Sequence, residues 1–230
     1  MTVIDLKKER ERKRREANKE TILHATESVI IRKGVGAATM DDIARESQFS
    51  KATLYQYFRS KSELVDEIVL HYHDDMREIL ERIRSRDLSA VEKLGRIIRS
   101  SIEFHDAKEN VSRVLMTDGA FRNRMRAFLS PGKEGLSPDE KRLCRVMYGK
   151  LKALLDIGAS ILREGVLSGE FREMDVDAAV TFLGDVLQGL FHVTASNIPR
   201  LGPREKTEII MEFLLNGIAA APGSRKGESI

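Results

Sequence analysis

The chain contains no tryptophan, a single cysteine and only five prolines among its 230 residues. One cysteine, Cys144, can neither close an internal disulfide nor supply a multi-cysteine zinc site. No apolar run approaches the roughly 20 residues that a membrane span needs. Residues 1–15 are charged from the outset and hold no apolar stretch of the kind a secretory signal requires, so a cytoplasmic location is expected. A glycine-rich phosphate loop and a nucleophile elbow are also missing, as is any histidine–carboxylate spacing with metal-ligand geometry. Neither an enzymatic activity nor a cofactor is therefore expected. His71 and His73 lie two apart on a helical stretch and diverge, so no metal is expected there, even with His105, Asp74 and Asp75 counted in. Cys144, among Leu143, Val146 and Met147, reads as a small buried hydrophobe. No alternating strand pattern and no internal repeat can be found.

What is present is charge, unevenly spread, and helical periodicity. Charged residues make up 33% of the chain and apolar ones 41%, with a net charge of +3. Residues 1–62 carry 14 Lys and Arg against 9 Asp and Glu, and the rest carries 25 against 27, so the positive charge sits at the N-terminal end. Lys7, Lys8, Arg10, Arg12, Lys13, Arg14 and Arg15 supply most of it and form a basic arm, residues 1–14, suited to phosphates.

The pattern predicts an all-α protein of about nine helices. The first covers residues 15–33, with Ile22, Leu23, Thr26, Val29 and Ile30 on one face and Gly34 as its left-handed end. Thr39 with Asp42 is a capping box for a second helix, and Ser50 caps a third. Ser60 with Glu63 opens a fourth, which runs to about residue 86 and is long enough to link two domains. Ser89 with Glu92 opens a fifth, to about 105, and a sixth is expected from 110 to 129. Ser137-Pro138-Asp139-Glu140 starts a seventh, to about 167. The eighth and ninth occupy about 176–196 and 203–220, and residues 222–230 read as a disordered tail. The domains expected are a three-helix head over 15–62 and a helical body over 63–221.

The segment Thr39-Met40-Asp41-Asp42-Ile43-Ala44 followed by Phe49-Ser50-Lys51-Ala52-Thr53-Leu54-Tyr55-Gln56-Tyr57-Phe58 reads as two short capped helices around a tight turn. With Lys33-Gly34-Val35 before it and Ser60-Lys61-Ser62-Glu63-Leu64 after it, this run resembles the DNA-binding domain of the tetracycline-repressor (TetR) family. Ile43, Ala44, Phe49, Leu54 and Phe58 are the apolar set that fixes the helix angle. The third helix presents Lys51, Ala52, Thr53, Tyr55, Gln56 and Tyr57 to a groove. Gln can pair with adenine in two hydrogen bonds, and Ala or a Thr methyl can pack on thymine, while Tyr and Lys suit phosphates. Tyr55 can instead pack on the first helix. The resemblance implies that Thr39, Ser50, Lys51, Thr53, Tyr57 and Lys61 touch DNA. Lys51 and Lys61 are expected to be phosphate contacts because no other work is evident for them. Three residues depart from the family pattern. Gln48 replaces the glycine of the turn, where a left-handed backbone costs a non-glycine residue about 1–2 kcal/mol. Ser47 stands for the usual alanine, and Ala52 for a frequent glycine, so an operator cannot be borrowed from relatives.

For the body, the resemblance implies a homodimer through the last two helices. The apolar faces of Val176, Ala179, Val180, Leu183, Val186, Leu187, Leu190 and Phe191, and of Ile209, Ile210, Phe213, Leu214 and Ile218, fit this. They fit an ordinary core almost as well. Gly184 and Gly189 would permit close approach. The resemblance also implies a pocket for a small, largely apolar effector, with Phe104, His105, Met116, Phe121, Met125, Phe128, Met147 and Tyr148 as plausible lining. The function expected is that of a repressor released from operator DNA by that effector. The rival readings are a helical module whose head binds a protein, and a non-specific nucleoid-associated DNA binder.

Overall fold

The computed structural model describes residues 3–117, 119, 137–192 and 201–216. All regular structure among them is helical: α1 (Val3–Lys33), α2 (Met40–Ser47), α3 (Lys51–Tyr57), α4 (Lys61–Arg84), α5 (Ala90–Thr117), α6 (Pro138–Ser168), α7 (Val176–His192) and α8 (Pro203–Asn216). The tail 222–230 and the ends expected at 196 and 220 for the last two helices lie outside the described residues.

Two expectations are corrected. The first helix starts at Val3 and not near residue 15, so the basic arm is helical. Its residues are mostly Lys, Arg and Glu, which are good helix formers. Two exposed pairs at i,i+4, Lys13–Glu9 at 3.1 Å and Arg12–Glu16 at 3.6 Å, support it further. Secondly, α5 runs unbroken to Thr117 through the gap expected at 105–110. The intervening Asp106-Ala107-Lys108-Glu109 has neither glycine nor proline, and a change of apolar face does not by itself end a helix. Whether a separate helix reaches 129 lies outside the described residues.

The helix ends follow the expected chemistry. Gly34 and Gly169 are left-handed, at φ 81° and 77°. Ser89 and Glu92 exchange hydrogen bonds of 3.2 and 3.1 Å at the start of α5, and Ser137 and Glu140 do so at α6.

The chain gathers into two compact units, one of residues 1–77 with 107–154 and one of 78–106 with 155–230. In the first, Ile22, Val29, Ile30, Ile43, Leu54, Phe58, Leu64 and Val65 form a core from α1–α4, joined by Val111 of α5. Thr26 is fully buried among them and satisfies its hydroxyl on the Ile22 carbonyl at 2.7 Å. Lys108 reaches both oxygens of Glu27 at 3.2 Å, and Lys150 pairs with Asp74.

In the second unit, Leu94, Ile97, Ile98 and Ile102 of α5 and Ile157, Ile161 and Leu162 of α6 are buried, with Phe171, Val180 and Leu183. Phe171 lies on Gly165, where a Cβ would stand 2.1 Å from its ring, and Val180 lies over Gly158, where a Cβ would stand 2.8 Å from its methyl. Gly184 meets Leu155 of its own chain, at 3.3 Å from an added Cβ; its smallness serves packing within this unit. Lys93, nearly buried, donates to both oxygens of Glu164 at 2.7 and 2.9 Å. Glu170 accepts the backbone N–H groups of Ala90 and Val91 at 3.2 and 3.0 Å and so satisfies the first turn of α5. Those amide donors hold its carboxyl below the usual range.

Candidate nucleic-acid interface

The interface is built on the turn between α2 and α3. Thr39 caps α2: its hydroxyl accepts the Asp42 N–H at 3.1 Å, while Asp42 accepts the Thr39 N–H at 3.2 Å and its hydroxyl at 2.8 Å. Lys33, in the last turn of α1, donates to Asp42 at 2.7 Å, and Arg32 to Glu46 at the same distance. The Lys33 bond first, and the Thr39 hydroxyl second, bring the Asp42 carboxyl down to about 2. The two acids thus fasten α2 to α1; the sequence pattern marks Asp42 as a cap only and does not mark Glu46.

At the turn, Gln48 adopts φ 60° and ψ 22°, the left-handed conformation expected of a glycine. It is the one non-glycine with positive φ among the described residues. Its N–H bonds the Arg45 carbonyl at 3.3 Å, and the Phe49 N–H bonds that of Ala44 at 3.1 Å. Ser47 is buried and returns its hydroxyl to the Ala44 carbonyl at 3.2 Å, which explains why serine is tolerated where alanine is usual.

Ser50 caps α3 by accepting the Thr53 N–H at 3.0 Å, and the two hydroxyls are 2.8 Å apart. Leu54 is fully buried and Phe58 nearly so, which fixes the phase of the helix. Ala52 and Gln56, four apart, then share a line on the opposite face, and both are exposed. Lys51 and Tyr55 flank that line and are exposed as well.

Of the two tyrosines, Tyr55 is about half exposed and it is Tyr57 that packs on α1. The Tyr57 hydroxyl accepts from the Asn18 amide at 3.0 Å, and the Arg15 guanidinium stands 5.2 Å from its ring centre. Lys19 lies 5.9 Å from the ring centre of Phe58 and pairs with Glu67. Of these three α1 residues, the sequence marks Arg15 only as one of the basic cluster and does not mark Asn18 or Lys19. The available signal was periodicity, since Asn18 and Arg15 lie four and seven residues before Ile22.

The premise that Lys51 and Lys61 have no work within the head is overturned. Lys51 donates to Asp41 at 2.9 Å, a pairing that raises its pKa. Lys61 donates to the carbonyls of Val35, Gly36 and Ala38 at 2.6, 3.1 and 2.8 Å, closing the loop that delivers Thr39 to α2.

Two family models match the chain: "Bacterial regulatory proteins, tetR family" over residues 22–68 and "QacR-like protein, C-terminal region" over 138–220. The chain belongs to the TetR family. It is a DNA-binding transcriptional regulator, and its regular structure is all helical among the described residues. The HTH-type transcriptional repressor KstR2 of Mycolicibacterium smegmatis is 23% identical over 91% of this chain and 94% of its own. The HTH-type regulator YhgD of Bacillus subtilis is 22% identical over 88% and 97%. Among solved structures, the regulator FadR from Bacillus subtilis in complex with stearoyl-CoA has the same fold. It superposes with a TM-score of 0.63 at 22% identity, over 87% of this TetR-family chain and 99% of its own. No described helix is long and apolar enough to cross a membrane.

Of the residues proposed to line an effector pocket, Met147 is buried, Phe104 and His105 are half-buried and Tyr148 is exposed. Met116, Phe121, Met125 and Phe128 lie outside the residues whose side chains are described. Gly189 does too.

Proposed function

We propose that this TetR-family regulator is a homodimeric repressor whose α3 enters the major groove and reads base edges with Gln56 and Ala52. The supporting observation is the outward line that these two residues share on a helix held from behind by Leu54, Phe58 and the Arg15–Asn18–Tyr57 contact. Gln56 can make paired hydrogen bonds to adenine, and Ala52 can pack on a thymine methyl. Lys51 and Tyr55 at the flanks take phosphates, Lys51 exchanging an exposed pair with Asp41 that is worth little in water. Thr39, Ser50 and Thr53 present hydroxyls and helix N-terminal amides on the same side. Tyr57 and Lys61 act by positioning: one fixes the angle of α3 and the other the loop before α2.

Two heads are needed for a twofold operator. On α7 and α8, Phe182, Ile209, Phe213, Leu214 and Leu215 leave large apolar side chains exposed, which favours those helices as the dimer contact. A largely apolar effector is the reading consistent with the stearoyl-CoA bound to the FadR relative, and a cytoplasmic location fits a DNA-bound regulator.

The test is selection of duplexes from a random library by the full chain, followed by competition binding. Recovery of a palindromic site is expected. Gln56→Ala should lose about 1–3 kcal/mol of discrimination at one base position per half-site. Uniform weakening across all sequences would refute the reading, as would failure to select any site. Acyl-CoAs of graded chain length, added to the complex, test the effector class.

A further inference from the structure

The charge on the N-terminal half of α1 is sorted by face. Residues 3–17 precede the apolar stripe and extend the helix by about 22 Å. The side of the helix that meets α3 is marked by Asn18 and Arg15, which both touch Tyr57. Steps of four and seven residues back from this pair place Lys8, Glu11 and Arg14 on that side together with Arg15, and one further step of four, from Glu11, adds Lys7. All five are exposed. The four cations make no ion pair among the described residues, and Glu11 is the one acid. Of the other arm cations, Lys13 and Arg12 are paired, with Glu9 and Glu16, and Arg10 is exposed and without an ion pair among the described residues, off this side. Four of the five unpaired arm cations thus lie on the side continuous with the recognition helix, where a solvated tail of mixed charge has no cause to gather them.

We propose that the face formed by Lys7, Lys8, Arg14 and Arg15 is a second DNA-contacting surface, lying along duplex phosphates beside the segment that α3 reads. The occupant follows from continuity and charge. Tyr57, on which Arg15 rests, is the sequence neighbour of Gln56, and a rigid helix of about 22 Å covers the rise of about six base pairs. The rigid helix sets which phosphates are met, so the surface enlarges the footprint without adding base readout. The inference rests on the DNA-binding reading above.

The full chain is tested on the duplex it selects, once with flanking base pairs and once trimmed to the selected site. The variant K7Q/K8Q/R14Q leaves Arg15 on Tyr57 and replaces the lysines and the arginine with a good helix former. Its slope of log affinity against log salt should fall by about 2–3 per head relative to the unaltered protein. R12Q/K13Q should change the slope by less than about 1. Trimming the flanks should weaken the unaltered protein and leave the triple variant unchanged, and the trimming comparison on unaltered protein holds even if a variant folds poorly. An undiminished slope in the triple variant, an equal fall in the double variant, or indifference of the unaltered protein to trimming would each overturn the proposal. If selection returns no preferred site, the base-reading proposal fails, while the slope comparison on a random-sequence duplex still decides this surface.

Discussion

Substituting Lys61 separates two roles that the same ammonium could have. Its Nζ is within hydrogen-bond distance of three carbonyls, those of the buried Val35 and Ala38 and of the exposed Gly36. Lys61→Met keeps most of the apolar stem and removes all three donors. A hydrogen bond to a charged group contributes about 1.5–3 kcal/mol net. Because one lysine serves all three acceptors and water can reach the loop once it opens, the loss expected is that of about one such bond, about 1.5–3 kcal/mol in total. Urea unfolding at fixed protein concentration measures it, as a lower midpoint with an unchanged slope. Lys61→Arg keeps the charge but presents a planar fork in place of three convergent donors, so it should recover less than half of the loss. DNA affinity should fall for both variants, with the salt slope unchanged. The opposite result would refute the clamp. An unchanged urea midpoint, a slope reduced by about 0.9 per head in Lys61→Met and full rescue by arginine would identify a phosphate contact.

Two further outcomes follow from the head. Gln48→Gly should raise stability by up to about 1.5 kcal/mol in urea unfolding, the relief of left-handed strain of about 1–2 kcal/mol offset by glycine's added chain entropy of about 0.5–1; a loss of stability would mean that the Gln48 side chain makes a stabilising contact. Asp42 titrates at about 2 in the folded protein against an ordinary 3.8, so its stabilising effect is complete above about pH 4 and is lost as the pH falls from there towards 2. The difference in unfolding midpoint between the unaltered protein and Asp42→Asn should therefore shrink across that window, and a constant difference would show that the Lys33 and Thr39 bonds do not depend on its charge.

The parts of the head legible in the sequence are those whose partners are three or four residues away. Thr39 with Asp42, Ser50 with the Thr53 N–H and the left-handed Gly34 all follow from local rules, as does the strain at Gln48. The apolar set Ile43, Leu54 and Phe58 was legible because burial imposes a period. What escaped was every contact closed over a long stretch of chain: Asn18 to Tyr57 across 39 positions, Lys61 to Ala38 across 23, and Lys108 to Glu27 across 81. The exchange of roles between Tyr55 and Tyr57 has the same origin. Two residues apart on a helix point about 160° from each other, and only the tertiary position of Leu54 says which of them meets α1. The length of α5 was misjudged for a different reason: its apolar face shifts near residue 105, and the pattern was taken for an end although no breaker is present.

These long-range contacts also alter how a signal can reach the reading helix. The sequence assigns the link between body and head to the fourth helix. Yet residues 107–154 belong to the same compact unit as the head, Val111 is part of the core that holds Ile30 and Leu54, and Lys108 engages Glu27 on α1. Lys150 of α6 similarly holds Asp74 on α4. A change in the packing of α5 beyond residue 107 therefore acts on α1 directly, and α1 carries Asn18 and Arg15, the residues that set the angle of Tyr57 and with it of α3. Close-packed interiors respond to displacement by exchanging discrete arrangements and not by gradual deformation, and a recognition helix tilted by one such step no longer matches its groove. The contacts of α1 therefore join α5 to the reading helix within this unit, alongside α4.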